Sequence, residues 1–129
     1  MKKIILRYVP VVLWMTLIFL ISSKADLPVN GTVSEDFLSK KLAHIFEYTI
    51  LMFLMFRAVG EKSPAKAFLY SLVFAFTDEI HQLFIPTRTG KLRDVGIDSI
   101  GLIISAIFII KLRLWNSYLL VHPQKRPKK

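Results

Sequence analysis

No cysteine occurs among the 129 residues. Disulfides, thiolate-bound zinc and cysteine nucleophiles are thereby excluded. Acidic residues are scarce as well: nine Asp and Glu face eighteen Lys and Arg, for a formal net charge of +9. Glycine numbers only five, and no Gly-x-Ser-x-Gly elbow or His-Glu-x-x-His spacing is present. The two commonest short signatures of serine hydrolases and zinc proteases are therefore missing. No internal repeat or low-complexity stretch is evident, apart from a basic tail over 122–129. A pI near 10 invites a nucleic-acid reading, so the placement of the basic residues has to decide it.

What the chain has in quantity is apolar sequence, 53% by the broad count with mean hydropathy +0.49. It comes in four blocks rather than as amphipathic stripes. Helices are expected over about 4–22, 41–59, 65–85 and 94–115, followed by a basic tail over 116–129. Each block is long enough for a helix to cross roughly 30 Å of hydrocarbon. Blocks that are apolar nearly all round leave a soluble bundle no wet face. The expected fold is all-α, a single domain over 1–129 forming an integral-membrane bundle of four transmembrane helices. A cleaved signal peptide is the rival reading of the first block, since Lys2, Lys3 and Arg7 precede it and Ser23-Lys24-Ala25 loosely matches a cleavage site. The length of its apolar run, with Trp14 and Phe19 inside, favours a retained helix.

Charge orients such a bundle. With the N-terminus cytoplasmic, the inner side carries twelve of the eighteen basic residues and one acid, Glu61. The outer side then holds six basic residues against eight acids. Both termini are expected inside. The basic excess becomes a topology signal, with Lys125, Arg126, Lys128 and Lys129 available to anionic lipid, and no nucleic-acid partner is expected. Between the first two helices, Asn30-Gly31 marks a turn, and Thr32 with Glu35 has capping-box spacing. The second helix is expected to start near Glu35.

Ionisable residues inside a transmembrane helix cost about 2.5 kcal/mol or more at its centre. Here they gather at one level. Lys41, His44 and Tyr48 form one stripe of the second helix, with Glu47 at its edge. Asp78, Glu79 and Gln82 share a face of the third, and His81 lies just beyond it. The fourth carries Asp94, Asp98, Gly101 and Ser105 as a narrow small-and-polar stripe suited to close packing. All of these belong to the outer third of the expected bilayer, and 49–56 and 67–76 carry no charge. A shared exofacial pocket is the expectation, built from Lys41, His44, Glu47, Tyr48, Glu79, Gln82, Arg88, Asp94 and Asp98.

Those residues carry a resemblance. Lys41-Leu-Ala-His44-Ile-Phe-Glu47-Tyr48 and Asp78-Glu79-Ile-His-Gln82-Leu-Phe-Ile-Pro86-Thr-Arg88, followed by Asp94 and Asp98-Ser-Ile-Gly101, resemble the signatures of the VanZ-like membrane proteins. Trp14 and the Ser22-Ser23 pair fit as well, so the likeness spans roughly 14–105. Asp98 stands where Asn is common, and Ser105 where a second Gly is common. The resemblance implies a multi-pass protein of the bacterial cytoplasmic membrane, some of whose relatives lower susceptibility to teicoplanin-type lipoglycopeptides. It supplies no reaction.

Each polar residue also has a plainer reading. His44 is either a general base or ligand, or a hydrogen-bond partner of Glu47 or of a carboxylate on a neighbouring helix. Asp78 and Glu79 are either catalytic carboxylates or internal partners of Arg88 and Arg93; the structural role suits Asp78 and the functional one Glu79. Gln82 either orients a ligand or bridges helices, and Tyr48 either binds substrate or joins an aromatic belt. Arg88 and Arg93 either hold a lipid phosphate or end helices at headgroup level. His44, Glu47, Glu79, His81, Asp94 and Asp98 are acceptable ligands for zinc or manganese, but no ligand spacing appears, and neither metal nor cofactor is expected. The reading that follows is a pocket for an amphiphilic or lipid-linked envelope ligand. An intramembrane enzyme acting on a phospholipid or polyprenyl-linked precursor is the alternative, with His44 and Glu79 as its catalytic candidates. A scaffold held together by its polar residues is the third.

Overall fold

The computed structural model describes residues 2–24, 33–59, 63–86, 88 and 90–112. They form four helices, α1 (Lys2–Ser22), α2 (Val33–Val59), α3 (Pro64–Gln82) and α4 (Leu92–Leu112), and no strand. Thr32 and the tail over 116–129 lie outside the described residues, so the capping box and the basic tail receive no structural account.

Local chemistry explains the helix limits that are described. Pro64 occupies the first turn of α3, where its missing N–H costs nothing. Ser63 caps that turn, its hydroxyl accepting from the Lys66 N–H at 3.3 Å. At the other end, 83–86 unwind through turns before Gly90 brings the chain back across α3. Asp94 in the first turn of α4 and Lys111 in its last both complement the helix dipole. Proline 10 lies within α1.

α2 is the centre of the molecule: it packs against each of the other three helices, most extensively against α4. Gly101 allows that closeness. A Cβ there would stand 2.3 Å from the Ile45 carbonyl oxygen and 3.0 Å from the Thr49 nitrogen. Thr49 Oγ1 donates to the Ile45 carbonyl at 2.7 Å and lies 3.2 Å from the Gly101 carbonyl. The stripe Asp94, Asp98, Gly101, Ser105 is therefore a helix-packing seam, as small residues are in membrane bundles. Ser105, buried, continues it.

The molecule is turned inside out relative to a water-soluble bundle. Leu13, Leu20, Phe46, Leu69, Val73, Phe84, Ile104 and Phe108 are all exposed, while Glu47, Asp78, Glu79, Gln82 and Asp98 are buried. Two segments, Ile5–Ser22 and Leu38–Val59, are long and apolar enough to cross a membrane by length and composition. Below the polar level, Leu51, Met52, Phe56, Ala67, Ala75, Leu102 and Ile109 make a dry core.

Candidate functional site

Three rungs climb α2. At the first, Lys41 Nζ lies 2.7 Å from Asp94 Oδ1, with both side chains largely covered. One turn further in, His44 Nδ1 lies 3.0 Å from Asp98 Oδ1. A turn beyond that, the Tyr48 hydroxyl reaches Asp78 Oδ2 at 3.5 Å, crossing from α4 to α3. The 3.6-residue period on α2 and the four-residue step between Asp94 and Asp98 put each donor level with a carboxylate. His44 and Tyr48 stack, their ring centroids 6.4 Å apart and 13° from parallel.

Asp78 is the hub. It is fully buried, and its Oδ2 accepts from Ser22 Oγ at 2.9 Å and Gln82 Nε2 at 3.0 Å as well as from Tyr48. Three helices are thus tied to one oxygen. Gln82 also points the same amide at Glu79 Oε1, 3.3 Å away, so it bridges the two acids from positions i+4 and i+3. Glu79 Oε2 accepts the Lys91 backbone N–H at 2.8 Å. That contact needs the loop pressed onto α3, and Gly90 permits it: a Cβ there would sit 2.3 Å from the Glu79 carbonyl oxygen.

Glu47 is buried between these groups, and its charge neighbours are His44, Asp78, Asp98 and Arg88. Its backbone carbonyl accepts Trp14 Nε1–H at 2.9 Å, which fastens α1 to α2 at this level. Arg88 is half-buried, its backbone N–H donating to the Ile85 carbonyl at 3.2 Å. All nine residues expected to form the pocket lie toward one end of the bundle, where hydrogen bonds and ion pairs link most of them. The opening beside them is a groove of about 160 Å³ between α3 and α4, lined by Phe76, Glu79, Ile80, Leu83, Gly90, Lys91, Leu92 and Val95.

His81 stands apart from this network. It turns to α1, stacking on Phe19 at 4.7 Å, with Nε2 2.9 Å from Ser23 Oγ. For Asp78, the hydrogen bonds come from three neutral donors rather than from Arg88 or Arg93. Arg93 Nε, largely exposed, lies 3.8 Å from Asp94 Oδ1. Among the described residues no group of three or more His, Asp and Glu side chains is placed to hold a metal ion.

Ser22 and the Lys91 amide belong to the site and were not expected there. Ser22 ends α1 at the depth of Asp78, and the Ser22-Ser23 pair is among the residues that carry the family resemblance; these two signals point to it. A backbone N–H leaves no trace in sequence, so Lys91 was not findable.

The VanZ/LLP1 family model matches residues 6–115, which takes in α2, α3, α4, all but the first four residues of α1, and every residue of the network. The chain belongs to the VanZ/LLP1 family. A relative in Bacillus subtilis (strain 168), described as uncharacterized membrane protein YwnJ, is 39% identical over 71 residues, 55% of this chain and 48% of the relative. The matched part thus spans about half the length of that protein. No solved structure matches the chain. Membership in VanZ/LLP1 makes this a membrane protein, in keeping with its apolar exterior and buried polar interior.

Proposed function

We propose that this VanZ/LLP1 protein crosses the bacterial cytoplasmic membrane four times with both termini inside, and binds an amphiphilic envelope ligand at the polar end of the bundle, on the outer face. The three-rung network, with its groove opening between α3 and α4 beside Glu79, carries this reading. Buried carboxylates, an imidazole and a tyrosine gathered at one level in a membrane bundle are expensive, and function is the default explanation for such groups. Apolar exteriors on α3 (Leu69, Val73, Ile80) and α4 (Ile100, Ile103, Ile107) support four spans. Lys and Arg bias supports the orientation.

In the cell the bound ligand links this protein to envelope properties and to teicoplanin-type lipoglycopeptides, whose targets lie at the outer membrane surface. Expression in a susceptible Gram-positive host tests it. Wild type is expected to raise the teicoplanin inhibitory concentration and Glu79→Gln to reduce the gain. Wild type indistinguishable from empty vector removes the resistance role. Lys24→Cys and Lys91→Cys should react with an impermeant thiol reagent on intact cells, and Lys66→Cys should not; all three positions are exposed.

One observation favours an enzymatic reading beside this. The His44–Asp98 contact has the form of an imidazole held by a buried carboxylate, which fixes a base in its working tautomer. In that reading His44 acts as base, Glu79 as acid, and Arg88 holds a lipid phosphate. Mass spectrometry of envelope lipids from cells with wild type and His44→Gln distinguishes the two, and identical profiles count against catalysis.

A further inference from the structure

Among the described residues, the charged side chains that are buried are all acids, Glu47, Asp78, Glu79 and Asp98, and Asp78 and Asp98 are fully so. Lys41 is committed to Asp94 and His44 to Asp98, and the Arg88 side chain has its Nε buried nearby. Among the described residues the most deeply buried charged groups are therefore acceptors. Two of those acceptors are unused. Asp78 Oδ1 and Asp98 Oδ2 are buried in side chains with no solvent exposure and have no hydrogen-bond partner. A buried carboxylate oxygen left without a donor is costly, and native structures rarely tolerate it without a reason. Two on adjacent rungs point to a missing donor, and a donor among four carboxylates is favoured if it carries positive charge.

The approach to Glu79 is apolar on one side. The groove between α3 and α4 has Phe76, Leu83 and Leu92 as walls, all exposed at its mouth, with Glu79 forming part of its lining. At about 160 Å³ it is smaller than pockets that hold drug-sized molecules, typically about 300–1,000 Å³, and suits a segment of a single alkyl chain. Its polar end meets Glu79, and Gln82 links Glu79 to Asp78.

We propose that the site binds the ammonium head of an amine-bearing lipid, which enters sideways between α3 and α4 with its chain in the Phe76–Leu83–Leu92 groove. An ammonium offers three N–H donors and no acceptor, which complements an interior of carboxylate acceptors. The proposal rests on the amphiphile-binding reading above and specifies the ligand's charge and path.

The test uses the full-length Trp115→Phe chain in neutral detergent, where Trp14, bonded to the Glu47 carbonyl, is the sole tryptophan. Its fluorescence is titrated with dodecylammonium, dodecanol and dodecyl phosphate. Dodecylammonium is expected to bind at least about tenfold more tightly than dodecanol, the worth of one charge-assisted hydrogen bond. Asp98→Asn and Glu79→Gln should each remove most of that preference while leaving dodecanol binding unchanged. Thermal melting without ligand identifies a variant that fails to fold, and the other then decides. Leu83→Trp, at an exposed position on the groove wall, should weaken dodecylammonium but not ethylammonium.

Equal affinity for dodecylammonium and dodecanol overturns the proposal, as does a preference that survives both neutralising substitutions. Dodecylammonium binding unaffected by Leu83→Trp overturns the lateral path. Site-dependent preference for dodecyl phosphate or dodecanol overturns the amine but keeps the amphiphile reading. No saturable binding of any of the three overturns both.

Discussion

The two ends of the bundle are held by different forces. At the polar end, α1, α2 and α3 meet through Ser22, Tyr48 and Gln82 on a single Asp78 oxygen, and α2 meets α4 through Lys41–Asp94 and His44–Asp98. At the other end Leu51, Met52, Phe56, Ala67, Leu102 and Ile109 belong to a buried apolar cluster. In hydrocarbon these apolar contacts gain little from the hydrophobic effect, because lipid tails are as apolar as leucine. Their contribution is dispersion and the avoidance of cavities. The polar end is directional and intolerant of a lost partner, while the apolar end depends on shape.

Substitutions at the two ends should therefore differ in size and in kind. Asp78→Ala strips Ser22, Tyr48 and Gln82 of their shared acceptor, and is expected to cost about 3 kcal/mol or more in unfolding assays in detergent. A cost below that of an apolar deletion would erase the contrast. Gly101→Ala, at the seam between the ends, puts a methyl against the Ile45 carbonyl and must part α2 from α4. A loss of about 1–3 kcal/mol is expected, together with weaker His44–Asp98 contact visible as altered imidazole NMR shifts.

Met52→Ala in the dry core leaves a cavity but forfeits little transfer energy in a membrane. About 1–2 kcal/mol is expected, toward or below the low end of the soluble-core range of about 2–5 kcal/mol. A volume-conserving Leu51→Met at the same end should stay under about 1.5 kcal/mol. Thr49→Val removes the hydroxyl next to the Gly101 carbonyl, and about 0.6 kcal/mol is the expected cost, near the mean for interhelical hydrogen bonds in a membrane. A larger loss would extend the polar regime to the α2–α4 contact at the depth of the third rung.

The number of helices and the polar stripe were legible because both depend on period alone. Lys41, His44 and Tyr48 recur at three and four residues, and nothing but a helix places them on one line. Gly101 read correctly as a packing position because a small residue in an apolar run has few other uses. Pairing was less accessible. Asp78 was expected beside Arg88 or Arg93, since charge suggests charge, yet three neutral donors satisfy its Oδ2. Hydrogen-bond geometry decided that, because Ser22 and Gln82 reach the oxygen directly. His81 carries the residue type of a ligand but faces Phe19 and Ser23, a difference of one position around α3.

Composition and period thus settled by themselves that this is an all-α chain with its ionisable residues at one level among apolar helices, since both follow from local spacing. Which carboxylate meets which donor, and that a groove reaches Glu79 from the α3–α4 side, were decided only by tertiary structure. Each depends on the rotation of one helix against another, and on a loop held against α3 at Gly90. A sequence records the stripe on each helix but not the angle at which two stripes face.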